Sequence, residues 1–161
     1  MSSSVTIMPL ANHPESLPLL IEWFEQQWAP YYGPDGPGDA AADLRGCCNT
    51  DQLPIALVAF TNGRVCGTAA LKAESVTTHS HLTPWLAALL VAPEFRRRGI
   101  AGQLIAAVEQ TARQLGFEQL YVGTGEGSGT AESTIRRRGW EFVEKGPYFV
   151  SEVSIYVKRL A

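Results

Sequence analysis

Chemistry-capable residues concentrate at positions 89–102, read as Leu89, Leu90, Val91, Ala92, Pro93, Glu94, Phe95, Arg96, Arg97, Arg98, Gly99, Ile100, Ala101 and Gly102. An apolar run ends at Val91, and Pro93 cannot donate to a strand ladder, so pairing stops near it. Three arginines then lead into Gly99, where a long amphipathic stretch begins. The first turn of a helix carries backbone N–H groups without intrahelical partners, at the positive end of its dipole. Small side chains at Gly99, Ala101 and Gly102 let a bulky anion approach those amides, so the spacing points to a phosphate or pyrophosphate site. On spacing alone, an ordinary strand–turn–helix with a solvated basic turn remains the competing reading.

Other candidates are weaker. His79 and His81 have the look of a metal pair, but no Cys, Asp or Glu stands nearby at ligand spacing, so no metal is expected and both read as loop histidines in solvent. Glu74 and His81 could deprotonate an amine directly or through water. Glycines at 123, 125, 127 and 129 suggest a dinucleotide loop, yet the pattern Gly-x-Gly-x-x-Gly would put its last glycine at Ser128 or Thr130. Too little chain follows for a doubly wound sheet. Arg96–98 and Arg136–138 are compact basic triplets, but a formal net charge of −3 argues against nucleic acid as a partner.

The elements that must position these residues follow from composition and periodicity. The chain has 161 residues, is 45% hydrophobic and 18% charged, and fits one globular domain spanning residues 1–161. No apolar stretch approaches the roughly 20 residues needed to span a bilayer, and residues 1–14 lack a basic and apolar leader pattern. Its three cysteines, Cys47, Cys48 and Cys66, form neither a disulfide framework nor a zinc spacing and predict free thiols in the cytoplasm. Residues 5–8 predict a first strand, 15–28 a helix, 30–38 a Pro/Gly loop, and Asp39 the N-cap of a short helix. Strands over 53–60 and 64–72 flank Asn62-Gly63, a hairpin signal. The run 85–91 predicts a strand buried on both faces. Residues 99–115 predict a helix with a stripe of Ile100, Leu104, Ile105, Val108, Ala112 and Leu115, stopped by Gly116. A strand over 119–123, a glycine-spaced loop over 124–130, a helix over 131–138 stopped by Gly139, and strands over 140–144 and 150–158 complete an α/β fold with a mainly antiparallel sheet and one crossover at 85–123.

Val91, Pro93, Arg96, Gly99 and Ala101 resemble motif A of the GCN5-related N-acetyltransferase (GNAT) superfamily, and Arg138-Gly139-Trp140 resembles the family's late Leu-Gly-Phe. The order of elements is similar over nearly the whole chain. The resemblance implies an α+β fold: a mixed, mainly antiparallel sheet of about six or seven strands, about four helices, and a splayed fourth and fifth strand pair. It implies acetyl-CoA as cosubstrate, with Leu89, Leu90 and Val91 pairing its pantetheine arm. Arg96, Arg97, Arg98, Gly99, Ile100, Ala101 and Gly102 would hold its pyrophosphate, and Ser128 and Ala131 would lie beside the arm. A backbone N–H at a strand bulge, that of Val91, would face the developing oxyanion. The activity implied is N-acetyl transfer to a primary amine of a small acceptor by direct attack, and homodimers occur in the family.

Two positions depart from the pattern. Ile135 stands where members often carry a tyrosine that protonates the departing thiolate, leaving Ser133, Thr134 and Tyr148 as candidates. Trp85 stands where histone-type members carry a glutamate base. The acceptor pocket implied by the resemblance draws on Trp23, Trp28, Tyr31, Tyr32, Asp35, Asp39, Tyr148 and Phe149, an aromatic wall with carboxylates suited to an amine. A non-catalytic acyl-CoA-binding or sensor domain on the same fold is the alternative.

Overall fold

Asn62 and Gly63 sit at φ 52° and 75°, the left-handed pair whose twist matches the strands of a tight hairpin. They join β2 (Ile55–Thr61) to β3 (Arg64–Lys72). The structure, a computed structural model, describes residues 4–125, 129–148 and 151–160. Before the hairpin come β1 (Thr6–Pro9), α1 (Leu17–Gln27), α2 (Ala29–Tyr32) and α3 (Ala40–Gly46); after it come β4 (Trp85–Val91), α4 (Ile100–Gln114), β5 (Gln119–Gly125), α5 (Gly129–Arg137), β6 (Glu141–Tyr148) and β7 (Ser151–Arg159). Among the described residues these strands form one seven-stranded sheet in the order β1-β2-β3-β4-β5-β7-β6. The β4–β5 pair is parallel and the others antiparallel. This is the mixed α+β architecture that the sequence predicts.

Helices cover both faces. Ile100, Leu104, Ile105, Val108 and Ala112 of α4 are each 2% exposed or less and share an apolar cluster with Leu57, Leu86, Leu120 and Tyr156 of the sheet. Burying each Leu or Ile of that stripe contributes roughly 1.5–3 kcal/mol before entropy is counted. On the other face, Leu20 and Phe24 of α1 and Leu44 of α3 cluster with Ala56, Val58, Ala70 and Leu90. Asp39 caps α3 as its sequence position predicts, its carboxylate accepting from the Ala42 N–H at 3.0 Å. No helix among the described residues is long and apolar enough to cross a membrane.

Several element boundaries differ from the sequence reading. Residues 30–32, in the stretch predicted as loop, join Ala29 in the one-turn α2, one of five α-helices among the described residues. Pro30 fits there because a first-turn proline loses no intrahelical bond. Thr124 and Gly125 extend β5, and Gly129 and Thr130 begin α5, leaving little of the predicted glycine loop. Strand β6 runs to Tyr148 instead of stopping near residue 144.

In the second basic triplet Arg136 and Arg137 are exposed and Arg138 is half-buried. Arg138 turns inward to Glu109, whose carboxylate is 1% exposed and accepts from Arg138 at 2.8 Å and from the Trp140 indole at 3.0 Å. The Lys158 ammonium lies 3.3 Å from the same carboxylate and donates to the Arg138 carbonyl at 2.6 Å. Arg136 donates to the Tyr156 hydroxyl at 3.0 Å and pairs with Glu132 at 3.5 Å. Arg138 therefore ties the end of α5 to α4, and Arg136 ties the helix to β7.

Candidate active site

Strand β4 changes character halfway along. Its parallel pairing to β5 covers Trp85↔Tyr121 and Leu86↔Val122, while its antiparallel pairing to β3 continues to Gly67↔Val91. From Ala87 onward the strand keeps a partner on one side and diverges from β5 on the other. Burial follows: Trp85, Leu86 and Leu90 are buried, whereas Ala87, Ala88 and Leu89 are half-buried. The expectation of burial on both faces holds for the start of the strand and fails where the splay opens.

A β-bulge lies within the splay. The ladder shifts register between Thr68 and Ala70, with Ala87 and Leu90 as the β4 partners on either side, and Ala88 takes φ 53°. The sequence reading put the bulge at Val91; it lies two to three residues earlier, because the extra residue is Ala88 or Leu89. Beyond it, the Ala92 N–H donates to the Cys66 carbonyl at 3.0 Å. Peptide groups in an antiparallel strand alternate sides, so the Val91 N–H, one residue before Ala92, turns away from β3 and into the gap. The bulge sets this phase: without the extra residue, Leu90 would face the gap instead.

At its open end the strand runs into a basic turn. Arg97 and Gly99 take φ 66° and 78° on either side of Arg98, and left-handed residues alternating in a short loop turn successive amides inward as an anion-binding concavity. Gly99 is the N-cap of α4, with no side-chain bond capping the helix. A Cβ at Gly99 or Gly102 would meet nothing within 4 Å, so the space over the first turn is open. The Arg96 side chain donates to the Val91 carbonyl at 3.0 Å. Arg98 and Arg64 lie over the Phe95 ring at 5.4 and 5.0 Å. The arrangement can pair an extended chain along Leu89–Val91 and hold an anionic end on the amides of residues 97–102.

The acceptor-side candidates occupy one corner, with roles redistributed. Trp28 packs edge-on to Phe24 at 4.9 Å, and Tyr31 packs edge-on to Tyr32 at 4.8 Å. The Tyr32 hydroxyl donates to Asp43 at 2.7 Å. Asp43, missed by the sequence reading, brings a half-buried carboxylate to this corner; Asp39 is spent on its cap and Asp35 is exposed. A Cβ on Gly38 would sit 2.3 Å from the Tyr31 ring, which fixes a glycine at that point of the loop.

Candidate proton-transfer groups are dispersed. Glu74 and His81 are exposed. His79 corrects its prediction as a solvated loop residue: it is 9% exposed, with its Nε2 3.0 Å from the Glu144 carboxylate and its Nδ1 2.9 Å from Thr78 Oγ1. Trp85 is fully buried and donates its indole N–H to the Leu82 carbonyl at 2.7 Å. Ile135 is 1% exposed and belongs to the apolar cluster around α4. Ser133 is exposed on α5, and Ala131 is half-buried near the start of that helix. Ser128, Phe149 and the Tyr148 side chain lie outside the described residues. No group of three or more His, Cys, Asp or Glu that could hold a metal ion occurs among the described residues.

The splayed strand pair, the bulge and the uncapped helix start define an acyltransferase-type fold. The family model described as the acetyltransferase (GNAT) family matches residues 18–140, and the chain belongs to that family. An aminoglycoside 6′-N-acetyltransferase complexed with coenzyme A is 15% identical, with a TM-score of 0.75 over 98% of this chain and 97% of that one. The aminoglycoside 6′-N-acetyltransferase from Enterococcus faecium is 14% identical, with a TM-score of 0.73 over 98% and 97%. A structure from Salmonella typhimurium, described as an acetyltransferase with its cofactor acetyl-CoA, is 14% identical with a TM-score of 0.74 over 100% and 95%. These likenesses establish the fold. No curated protein sequence matches the chain.

Proposed function

We propose that this protein moves the acetyl group of acetyl-CoA to a primary amine of a small acceptor, within a complex holding both substrates. The observation that carries the reading is the continuity of the open β4 edge with the uncapped, left-handed start of α4. In this reading Leu89 and Val91 pair the pantetheine arm as an added strand, and the amides of residues 97–102 hold the pyrophosphate. The acceptor nitrogen, as the free amine, attacks the thioester carbonyl carbon. The C–N bond forms, the C–S bond breaks, and coenzyme A leaves as a thiolate that takes up a proton. The Val91 N–H, turned into the gap, stabilises the oxyanion as it develops.

Proton transfer is carried through water in this reading, to Glu74 or His81 from the amine and from Ser133 or Tyr148 to the thiolate. Orientation of the two substrates supplies most of the barrier lowering, because an amine and a thioester react once held in attack geometry. The non-catalytic alternative draws support from Ile135, a core residue where a proton donor would otherwise stand.

The test is calorimetric titration with acetyl-CoA, using NAD as comparison, on the wild type and on Gly99→Asn and Gly99→Asp. Asn tolerates the left-handed backbone, and Asp differs from it by one negative charge. We expect micromolar acetyl-CoA binding, silence with NAD, and at least about tenfold weaker binding for Asp than for Asn, equivalent to about 1.4 kcal/mol. Equal affinities in the two variants would remove the phosphate assignment. Tight acetyl-CoA binding without thiol release across a broad amine panel would favour the sensor reading.

A further inference from the structure

Ala88, which takes φ 53° at the β4 bulge, also borders a small cavity beneath α1 and α3, on the face of the sheet opposite α4. Ala56, Ala70 and Ala88 floor this cavity, and Phe24, Leu44 and Cys47 wall it. It has room for about one water-sized group. Asp43, Thr68 and Lys72 border it too, yet the surface it presents is almost wholly apolar. The Thr68 hydroxyl is spent on the Leu57 carbonyl at 2.7 Å, and the Asp43 carboxylate accepts from Tyr32 at 2.7 Å. Burial pushes the Cys47 thiol up, which keeps it neutral at pH 7. Phe24, Leu44, Ala56 and Ala70 are each 2% exposed, so the walls are packed from behind and have nowhere to retreat. A water needs two to four polar partners, which such a lining does not offer.

A terminal methyl group matches that room and that lining, whereas a chain one methylene longer exceeds the room. The cavity and the gap meet at the bulge: Ala88 borders the one, and the residues that follow it, up to Val91, edge the other. We propose that the cavity receives the methyl end of the acyl group carried by coenzyme A, and that Phe24 and Leu44 limit that group to two carbons. The proposal rests on the acetyl-CoA reading and adds the acyl selectivity of the same site. A propionyl group would press its extra carbon against side chains already at interior packing density, and overpacking of that kind is unfavourable.

Calorimetric titration with coenzyme A and with its acetyl, propionyl, butyryl and hexanoyl thioesters tests this, and no acceptor is needed. Acetyl-CoA should bind at least about tenfold more tightly than propionyl-CoA, the scale of one methylene in an apolar pocket, and the longer thioesters should bind more weakly again. Leu44→Ala enlarges the cavity, and Phe24→Leu enlarges it with a smaller loss of packing. In each, the preference should move at least about fivefold toward propionyl-CoA, while coenzyme A itself binds as it does to the wild type. Ala70→Val fills the cavity and should weaken acetyl-CoA but not coenzyme A. Equal affinity of the wild type for the acetyl, propionyl and butyryl thioesters overturns the proposal and leaves the coenzyme A site standing. So does a preference that stays unmoved in the folded variants. Failure of coenzyme A and of every thioester to bind overturns the coenzyme A reading, and this proposal with it.

Discussion

Glu109 follows Val108 in the apolar stripe of α4, and nothing in its neighbourhood along the chain says what neutralises it. Its partners Arg138, Trp140 and Lys158 lie 29, 31 and 49 residues away. Burial by itself pushes the Glu109 carboxyl up; hydrogen bonds from Arg138 and Trp140, with the charges of Arg138 and Lys158, outweigh it and hold the group below the ordinary carboxylate value. A depressed folded-state value means the stabilisation is present above the unfolded carboxylate range, about pH 4.3, and is lost as pH falls through the folded value. Glu109→Gln should therefore cost about 3–5 kcal/mol at pH 7, because it strands two cations at a buried site. Urea unfolding measures this, and the variant's stability should fall less steeply than the wild type's below about pH 4. A loss under 1 kcal/mol would mean that water solvates the cluster.

At the scale of elements, β4 shows what an apolar run encodes and what it leaves open. The run 85–91 was legible as a strand, with the same boundaries in the structure. Its bulge was not, because alanine carries no preference for the left-handed conformation that Ala88 adopts at φ 53°. Valine favours strands in general, yet a β-branched residue at positive φ is strongly disfavoured. Ala88→Val should thus destabilise the protein, by about 1–2 kcal/mol, where a regular strand would gain. It should also weaken acetyl-CoA binding by shifting which N–H groups face the gap. Thermal unfolding and the same titration decide it, and a stabilised variant would show that β4 can run without its bulge.

On the scale of the whole molecule, the second face of the sheet has two separate covers. Helices α1 and α3 cover the β2–β4 half, while the segment between β3 and β4 covers the other, with Val76 packed among Trp85, Tyr121, Val153 and Ile155. His79 fastens that segment to β6 through Glu144 and lies where a Cβ on Gly146 would be 3.0 Å from its ring. His79→Ala should speed amide exchange in residues 73–84 and in β6, leaving the β2–β4 core unchanged. Hydrogen exchange read by mass spectrometry tests this; uniform acceleration would mean that the two covers open together.

By itself the sequence determined the local devices: the Asn62-Gly63 turn, the Asp39 cap, the α4 stripe, and the small residues at 99–102 that leave helix amides uncovered. Each depends on residues within a few positions, where backbone preference and periodicity act. Acetyltransferase family membership was legible for the same reason, since its motif is one continuous strand–turn–helix. Tertiary structure alone decided the phase set by Ala88 and the inward turn of Arg138. These depend on groups brought together across the sheet from distant parts of the chain, and pairing and burial at that range leave no periodic trace in the sequence.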